Sequence, residues 1–158
     1  MTTLVEIAGG IGWLVLTFGM AAVGARFMPD AWYRQLRKPA WNPPNKVFGP
    51  VWTTLYLLMA IAAWLVWRKA GIAAAVIPLA FFVLQLVLNT AWSWLFFGRH
   101  TLGGAFLELL ALWIAILITL VLFWRVVPLS GILLVPYLAW VSFAGVLNGT
   151  IWRLNTAA

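Results

Sequence analysis

The sequence lacks most of the side chains on which enzymes usually depend. It contains no cysteine, three acidic residues and one histidine, His100, among 158 positions. The missing cysteines exclude disulfides, thiolate metal sites and cysteine nucleophiles, and a lone histidine excludes a bis-histidine haem bundle. There is also no Ser–His–Asp set, metal-ligand cluster, P-loop or Gly-rich dinucleotide turn. We therefore expect no metal site, no required cofactor and no hydrolase, transferase or redox-cofactor chemistry.

Charge is equally scarce, at 8% of residues, whereas 65% are apolar and the mean hydropathy is +1.03. A soluble domain of this length needs more charge to cover its surface, but a domain inside a bilayer does not. The net charge is +7, and the basic residues stand at the ends of apolar runs, as they do where they fix membrane orientation. The composition thus predicts a lipid bilayer, and not nucleic acid, as a partner.

Five apolar runs are each long enough for a helix that crosses the roughly 30 Å hydrocarbon core. They cover about residues 4–25, 47–67, 73–97, 102–124 and 129–152, and Arg or Lys follows each of them. No Gly/Ser-rich linker or charge block divides the chain. The predicted fold class is therefore all-α: a polytopic integral membrane protein in which residues 1–158 form a single domain, a bundle of five transmembrane helices.

With five spans, the loop of residues 26–46 and the C-terminus share one side of the membrane. That side carries Arg26, Arg34, Arg37, Lys38, Lys46, Arg99 and Arg153, and the other side carries Arg68, Lys69 and Arg125. The positive-inside rule then places the loop and the C-terminus in the cytoplasm, provided that the host is an inner or plasma membrane.

The loop 26–46 is the one substantial segment outside the predicted spans. Asp30 is placed to cap a short interfacial helix that follows it. The proline-rich run 38–44 cannot continue that helix, because proline fixes φ and removes a hydrogen-bond donor. Two interpretations stay open: a rigid lid over the mouth of the bundle, or a connector that Trp32 and Trp41 anchor at the interface.

Aromatic and amide side chains recur at helical spacing in three of the predicted spans. The stripes are Trp52 and Tyr56; Gln85, Asn89, Trp92, Ser93 and Phe96; and Trp140, Ala144 and Asn148. Amides in hydrocarbon are costly unless paired, so the three amides should face the interior of the bundle. Converging stripes would form an indole-walled cavity for a flat, hydrophobic, partly polar ligand. The alternative is that they only pack the helices together.

Glu108 is the only acidic residue well inside a predicted span. A carboxylate at such a depth is a candidate for a proton relay or an ion site. It has no partner at mid-membrane depth, however, and it is close enough to the end of its span to reach the interface near Arg99 or His100. We expect a structural or interfacial role.

Several motifs extend over nearly the whole chain. They are GARF at 24–27, KPAWNPP at 38–44, VFGPVWTTLY at 47–56, QL at 85–86 with Asn89, Trp92 and FFG at 96–98, PYLAW at 136–140 and LN at 147–148. In this order they resemble the translocator protein/tryptophan-rich sensory protein family (TspO/MBR).

The resemblance implies a five-helix bundle, often a homodimer, with a cavity beneath the first loop. It implies protoporphyrin IX as the ligand, or synthetic drug-like molecules of the isoquinoline-carboxamide and benzodiazepine types. The implied ligand-binding residues are Trp41, Trp52, Tyr56, Asn89, Trp92, Trp140, Ala144 and Leu147. The compact, cysteine-free chain looks like a bacterial member, so a bacterial membrane is expected.

The predicted function is accordingly that of a tetrapyrrole-binding membrane sensor or regulator. Two alternatives stay open. One is a transporter of porphyrin or other small apolar molecules. The other is a light-dependent porphyrin-degrading enzyme, for which the resemblance implicates Trp52 and Trp140. Sterol recognition at the end of the fifth span is in doubt, because Gly149 stands where the recognition pattern of animal relatives has a tyrosine.

Overall fold

The computed structural model describes residues 1–156. Its elements are α1 (Thr3–Gly24), α2 (Ala31–Gln35), α3 (Asn45–Ala74), α4 (Val76–Ser93) with a π-helical turn (Trp94–Gly98), α5 (Leu102–Val126) and α6 (Pro128–Thr156). No strand occurs in this range. Five of the helices are long and apolar enough to cross a membrane, which confirms the predicted all-α, multi-pass membrane fold.

The largest difference between the predicted spans and the observed helices lies at the end of the second span, residues 47–67. α3 continues past Arg68 and Lys69. It is interrupted by a non-helical residue at Gly71 (φ 71°, ψ 174°) and ends at Ala74, and α4 begins two residues later. Glycine alone adopts such a backbone without strain. Two basic residues end an apolar run but not a helix, because their long side chains extend toward water while the backbone stays helical.

The five long helices form a closed ring. α1 packs on α3 and α4, α3 packs on α6, and α5 lies between α6 and α4. Met59, Phe82 and Phe123 are fully buried and fill the half of the ring away from the loop. The rings of Phe82 and Phe123 stack with centroids 5.7 Å apart. The other half of the ring, nearest residues 26–46, is only partly filled by side chains and keeps an open space.

The loop 26–46 covers this half of the ring. As the sequence predicts, Asp30 caps α2, accepting a hydrogen bond from the Tyr33 N–H over 3.1 Å. Tyr33 is buried and its ring meets Phe97 edge-on, with centroids 5.4 Å apart. Just after α2, Arg37 and Asn155 exchange two hydrogen bonds. The loop therefore roofs the ring, and it lies on the same side as the end of α6.

Glu108 does not take the expected route to the interface. Both of its carboxyl oxygens are buried and have no hydrogen-bond partner within residues 1–156. His100, which the sequence offers as a neighbour, contacts Asp30 instead, with Nε2 3.0 Å from Oδ2. The reason is helical phase: Glu108 is three residues after Ala105 and four before Leu112, both buried, so it lies on the inward face of α5.

Candidate ligand-binding cavity

A cavity of about 510 Å³ occupies the loop half of the ring, directly beneath residues 26–46. α1, α3, α4 with its π turn, α6 and the loop each contribute to its wall. The lining contains aromatic, aliphatic and amide side chains but no charged one. Such a space suits a neutral, largely apolar ring system with a few hydrogen-bonding groups.

Seven of the eight residues implied as ligand-binding line this cavity. They are Trp52, Tyr56, Asn89, Trp92, Trp140, Ala144 and Leu147. Trp41 does not: its side chain is 47% exposed, and its ring packs on Phe143 with centroids 5.8 Å apart. Phe143 in turn packs on Trp140 at 5.4 Å, so Trp41 braces the cavity wall from outside.

The two indoles Trp52 and Trp140 stand at right angles across one side of the cavity. Their ring centroids are 6.5 Å apart and their planes meet at 89°. Phe48 and Tyr56 extend this aromatic wall, with centroids 5.9 Å from Trp140 and 5.7 Å from Trp52. Positions 48, 52 and 56 are successive fours on α3, and side chains at that spacing share one face of a helix. α3 thus presents one aromatic edge to the ligand space.

A buried polar chain supports the cavity floor. The Asn89 Nδ2 donates to the Tyr137 hydroxyl over 2.7 Å, and this hydroxyl donates to Gln85 Oε1 over 2.7 Å. Asn89 lines the cavity, whereas Gln85 and Tyr137 lie behind it. The amide of Asn89 is therefore held in one orientation by residues that no ligand in the cavity touches.

A second polar link fixes Trp92. Its indole Nε1 donates to Asn148 Oδ1 over 3.0 Å, and Asn148 Nδ2 donates to the Leu102 carbonyl over 3.0 Å. By contrast, within residues 1–156 no hydrogen bond engages the indole nitrogens of Trp52 and Trp140. These two indole donors are consequently available to a ligand, while the Trp92 donor is committed to the fold.

Some residues of the cavity lining were not predicted from the sequence. Ala21 and Gly24 form the wall on α1, where their small side chains leave space. Phe97 joins the predicted Phe96 in the cavity wall from the π turn, and no sequence pattern indicates where such a turn occurs. No group of three His, Asp or Glu side chains in the described range is arranged to hold a metal.

Comparison with known proteins identifies a matching family profile and several similar proteins. A sequence profile of the TspO/MBR family matches residues 7–153. The chain is 49% identical over 138 residues to "Protein CrtK" of Rhodobacter capsulatus, covering 85% of this chain and 84% of that protein. It is 44% identical over 138 residues to "Translocator protein" of Homo sapiens, covering 84% and 82%.

A third similar protein is named as a sensory protein. The chain is 41% identical over 135 residues to "Tryptophan-rich sensory protein" of Cereibacter sphaeroides, covering 85% of this chain and 84% of that protein. The match of the family profile over most of the chain, together with these identities, leads to one assignment: this multi-pass membrane protein belongs to the TspO/MBR family.

Proposed function

We propose that this protein is a membrane sensor or regulator that binds a tetrapyrrole such as protoporphyrin IX in the cavity beneath the loop. The observation that carries the proposal is the cavity itself. Its volume of about 510 Å³ falls within the ~300–1,000 Å³ usual for small-molecule sites. A relative of similar length is named a sensory protein, which favours the regulatory side of the proposal.

The perpendicular indoles explain why a flat ligand fits. A macrocycle stacked on the face of Trp52 meets the edge of Trp140, or the reverse, and both arrangements are favourable for aromatic rings. The free indole donors and the oriented Asn89 amide then hydrogen-bond ring nitrogens or carbonyls. The same features accommodate isoquinoline-carboxamide or benzodiazepine-type molecules, which combine flat rings with an amide carbonyl.

The basic loop suits the acidic groups of a porphyrin. The cavity itself has no charged lining, so carboxylates would remain at the membrane surface. Five basic residues of the loop lie on that side: Arg26, Arg34, Arg37, Lys38 and Lys46. An apolar macrocycle inside and carboxylates outside would match the polarity of the site.

The test is a titration of the detergent-purified protein with protoporphyrin IX, followed by the absorbance of the porphyrin. This readout does not depend on protein fluorescence, so tryptophan can be replaced. We expect saturable binding at one site, weakened about two- to tenfold in Trp140→Phe, since aromatic stacking is worth ~0.5–1.5 kcal/mol. Trp124→Phe, at a half-exposed indole outside the cavity, is the matched control. Equal, non-saturating uptake by both variants and by empty micelles would refute the proposal.

Light-dependent porphyrin oxidation is a second candidate, favoured by the positions of Trp52 and Trp140 in the lining. The excited macrocycle can pass its energy to dissolved oxygen, and the singlet oxygen formed adds across a double bond of the porphyrin, so that both oxygen atoms enter the product and no separate reductant is needed. The indoles of Trp52 and Trp140 would hold the macrocycle in one orientation for this addition. Multiple turnovers in light, lost in the Trp52→Phe, Trp140→Phe double variant, would support this activity. Undiminished porphyrin loss in that variant would refute it.

Transport and dimerisation have less support. Met59, Phe82 and Phe123 fill the half of the ring opposite the loop, and this arrangement shows no through-passage for a porphyrin. The homodimer and the cytoplasmic position of the loop stay predictions from the family resemblance and the charge distribution.

A further inference from the structure

A second concavity lies between α5 and α6 and has a volume of about 590 Å³. It faces outward, since Val146 and Leu110 in its lining are 63% and 45% exposed. Two α6 glycines let the helices approach closely at its floor. A Cβ at Gly145 would lie 3.0 Å from Leu109 of α5, and one at Gly149 would lie 3.1 Å from Phe106. Larger residues at these two positions would fill the groove.

The polar atoms inside this groove are already paired. The Trp113 indole donates to Ser142 Oγ over 2.8 Å, and this hydroxyl donates to the Leu138 carbonyl over 2.8 Å. The Thr150 hydroxyl donates to the Val146 carbonyl over 2.7 Å. An apolar chain can therefore occupy the groove without leaving any of these groups without a partner.

The exceptions stand at one end of the groove, which Trp152 and Arg153 line. The Trp152 indole makes no hydrogen bond within residues 1–156. Within residues 1–156 the Arg153 guanidinium makes no ion pair and no side-chain hydrogen bond. The chain has only three acidic side chains. Glu6 and Asp30 are paired elsewhere, and Glu108 is buried inside the ring. No acidic side chain of this protein is thus left to neutralise Arg153.

The length of the groove matches one leaflet of a bilayer. Its α6 wall runs from Val141 to Arg153, about 18 Å at ~1.5 Å per residue, and half of the hydrocarbon core is about 15 Å. Arg153 and Trp152 lie at the end that reaches the interface, where such residues are typical. We propose that the groove binds one anionic phospholipid, with an acyl chain along Gly145 and Gly149 and its phosphate on Arg153.

The same observations disfavour two other occupants. A second copy of the chain would bury Arg153 against a surface on which no side chain within residues 1–156 offers a free carboxylate, and a buried unpaired charge is costly. A sterol offers a single hydroxyl, which leaves the guanidinium without a counter-charge, whereas a phosphate accepts two parallel hydrogen bonds from it. This site is independent of the cavity under the loop.

Native mass spectrometry of the protein in mild detergent tests the proposal. The protein is equilibrated with equal amounts of dioleoyl-phosphatidylglycerol and dioleoyl-phosphatidylcholine, and the retained lipids are counted. We expect wild type to retain one phosphatidylglycerol per chain in preference to phosphatidylcholine. Arg153→Gln should lose about fivefold of this preference, the factor that one basic residue gives at an anionic surface. Arg125→Gln, at the opposite end of α5, should keep it.

A second pair of variants keeps the test decisive if Arg153→Gln folds poorly. Val146→Trp fills the groove from its exposed side and should abolish retention of the lipid. Val135→Trp, on an equally exposed part of α6 outside the groove, should not. Unchanged phosphatidylglycerol retention in Arg153→Gln and Val146→Trp would overturn the proposal. So would displacement of the phosphatidylglycerol when an equal amount of cholesterol is added, or a dimer that Val146→Trp dissociates while lipid retention stays the same.

Discussion

Asn155, near the end of α6, holds the loop through both atoms of its amide. The Arg37 N–H donates to Asn155 Oδ1 over 3.0 Å, and Asn155 Nδ2 donates to the Arg37 carbonyl over 2.9 Å. The two residues are 118 positions apart in the sequence. This contact ties the middle of the loop, just after α2, to the end of α6.

Asn155→Ala should loosen the loop. The two exposed hydrogen bonds to Arg37, at ~0.5–1.5 kcal/mol each, are lost together with one within α6, from Asn155 Nδ2 to the Ile151 carbonyl. Loss of the two loop bonds predicts about a fivefold or greater rise in trypsin cleavage after Arg34 and Arg37. Cleavage-site mapping by mass spectrometry measures the rate. Thr156→Ala removes only a bond within α6, from the Thr156 hydroxyl to the Trp152 carbonyl, and should leave cleavage unchanged. Equal rates in all three proteins would mean that the clamp does not hold the loop.

Tyr137→Phe should destabilise the bundle. Its hydroxyl accepts from Asn89 and donates to Gln85, so both buried amides lose a partner. Hydrogen bonds between membrane helices contribute ~0.6–2 kcal/mol each, and we expect a loss of about 1–2 kcal/mol in unfolding free energy. Thermal unfolding in detergent measures it. Tyr56→Phe is the control, because its hydroxyl has no hydrogen bond within residues 1–156; equal losses would contradict the account.

Glu108→Leu should stabilise the protein. The Glu108 carboxyl is buried without a partner in the described residues, and an unsatisfied buried polar group costs ~1–3 kcal/mol. A leucine of similar volume removes this cost, so the midpoint of thermal unfolding should rise. Glu6→Leu, which breaks the ion pair with Arg68, serves as a comparison and should not raise it. A lower midpoint for Glu108→Leu would indicate that the carboxyl has a partner of its own in the membrane.

Asp30 gives the loop a dependence on acid pH. The Tyr33 N–H holds the pKa of the Asp30 carboxyl below its ordinary 3.8; partial desolvation opposes this, and His100 adds to it. Because the folded-state pKa is depressed, the contribution of Asp30 is present above pH 3.8 and is lost as the pH falls through the lower folded value.

Backbone hydrogen exchange at Tyr33 and its neighbours, measured between pH 5 and about pH 2 and corrected for intrinsic rates, checks this dependence. Protection should fall with acid in wild type, and Asp30→Asn should have a flat profile. A flat profile in wild type would show that the carboxylate form of Asp30 does not stabilise α2.

The sequence was sufficient for the spans and for most of the cavity. Apolar runs closed by basic residues locate the helices, because the bilayer requires both. The spacing of four residues from Trp52 to Tyr56, and from Trp140 to Ala144, predicts which helix faces turn inward. The sequence also predicted the Asp30 cap, because a short side chain with an acceptor oxygen directly before a helical run is the usual N-cap.

The features that could not be predicted from the sequence depend on contacts between residues far apart in the chain. Nothing local links Arg37 to Asn155. Gln85 and Asn89 are one helical turn apart on the same face of α4, so only the depth of the cavity places Gln85 behind it and Asn89 in its wall. Trp41 belongs to a motif that the resemblance assigns to the ligand, yet its ring rests on Phe143 outside the lining. Such positions are set by packing between elements, which spacing within one element does not determine.

The central claim is that the ligand occupies the cavity beneath the loop, and plugging this cavity tests it most directly. Ala144 lines it on α6, and Ala144→Phe adds bulk there without removing any aromatic or amide group. Ala139→Phe adds the same bulk on an exposed part of α6 and is the matched control. The measurement is the protoporphyrin IX titration, run on both variants and on wild type. The account predicts at least a tenfold loss of affinity in Ala144→Phe alone; wild-type affinity in that variant would contradict it.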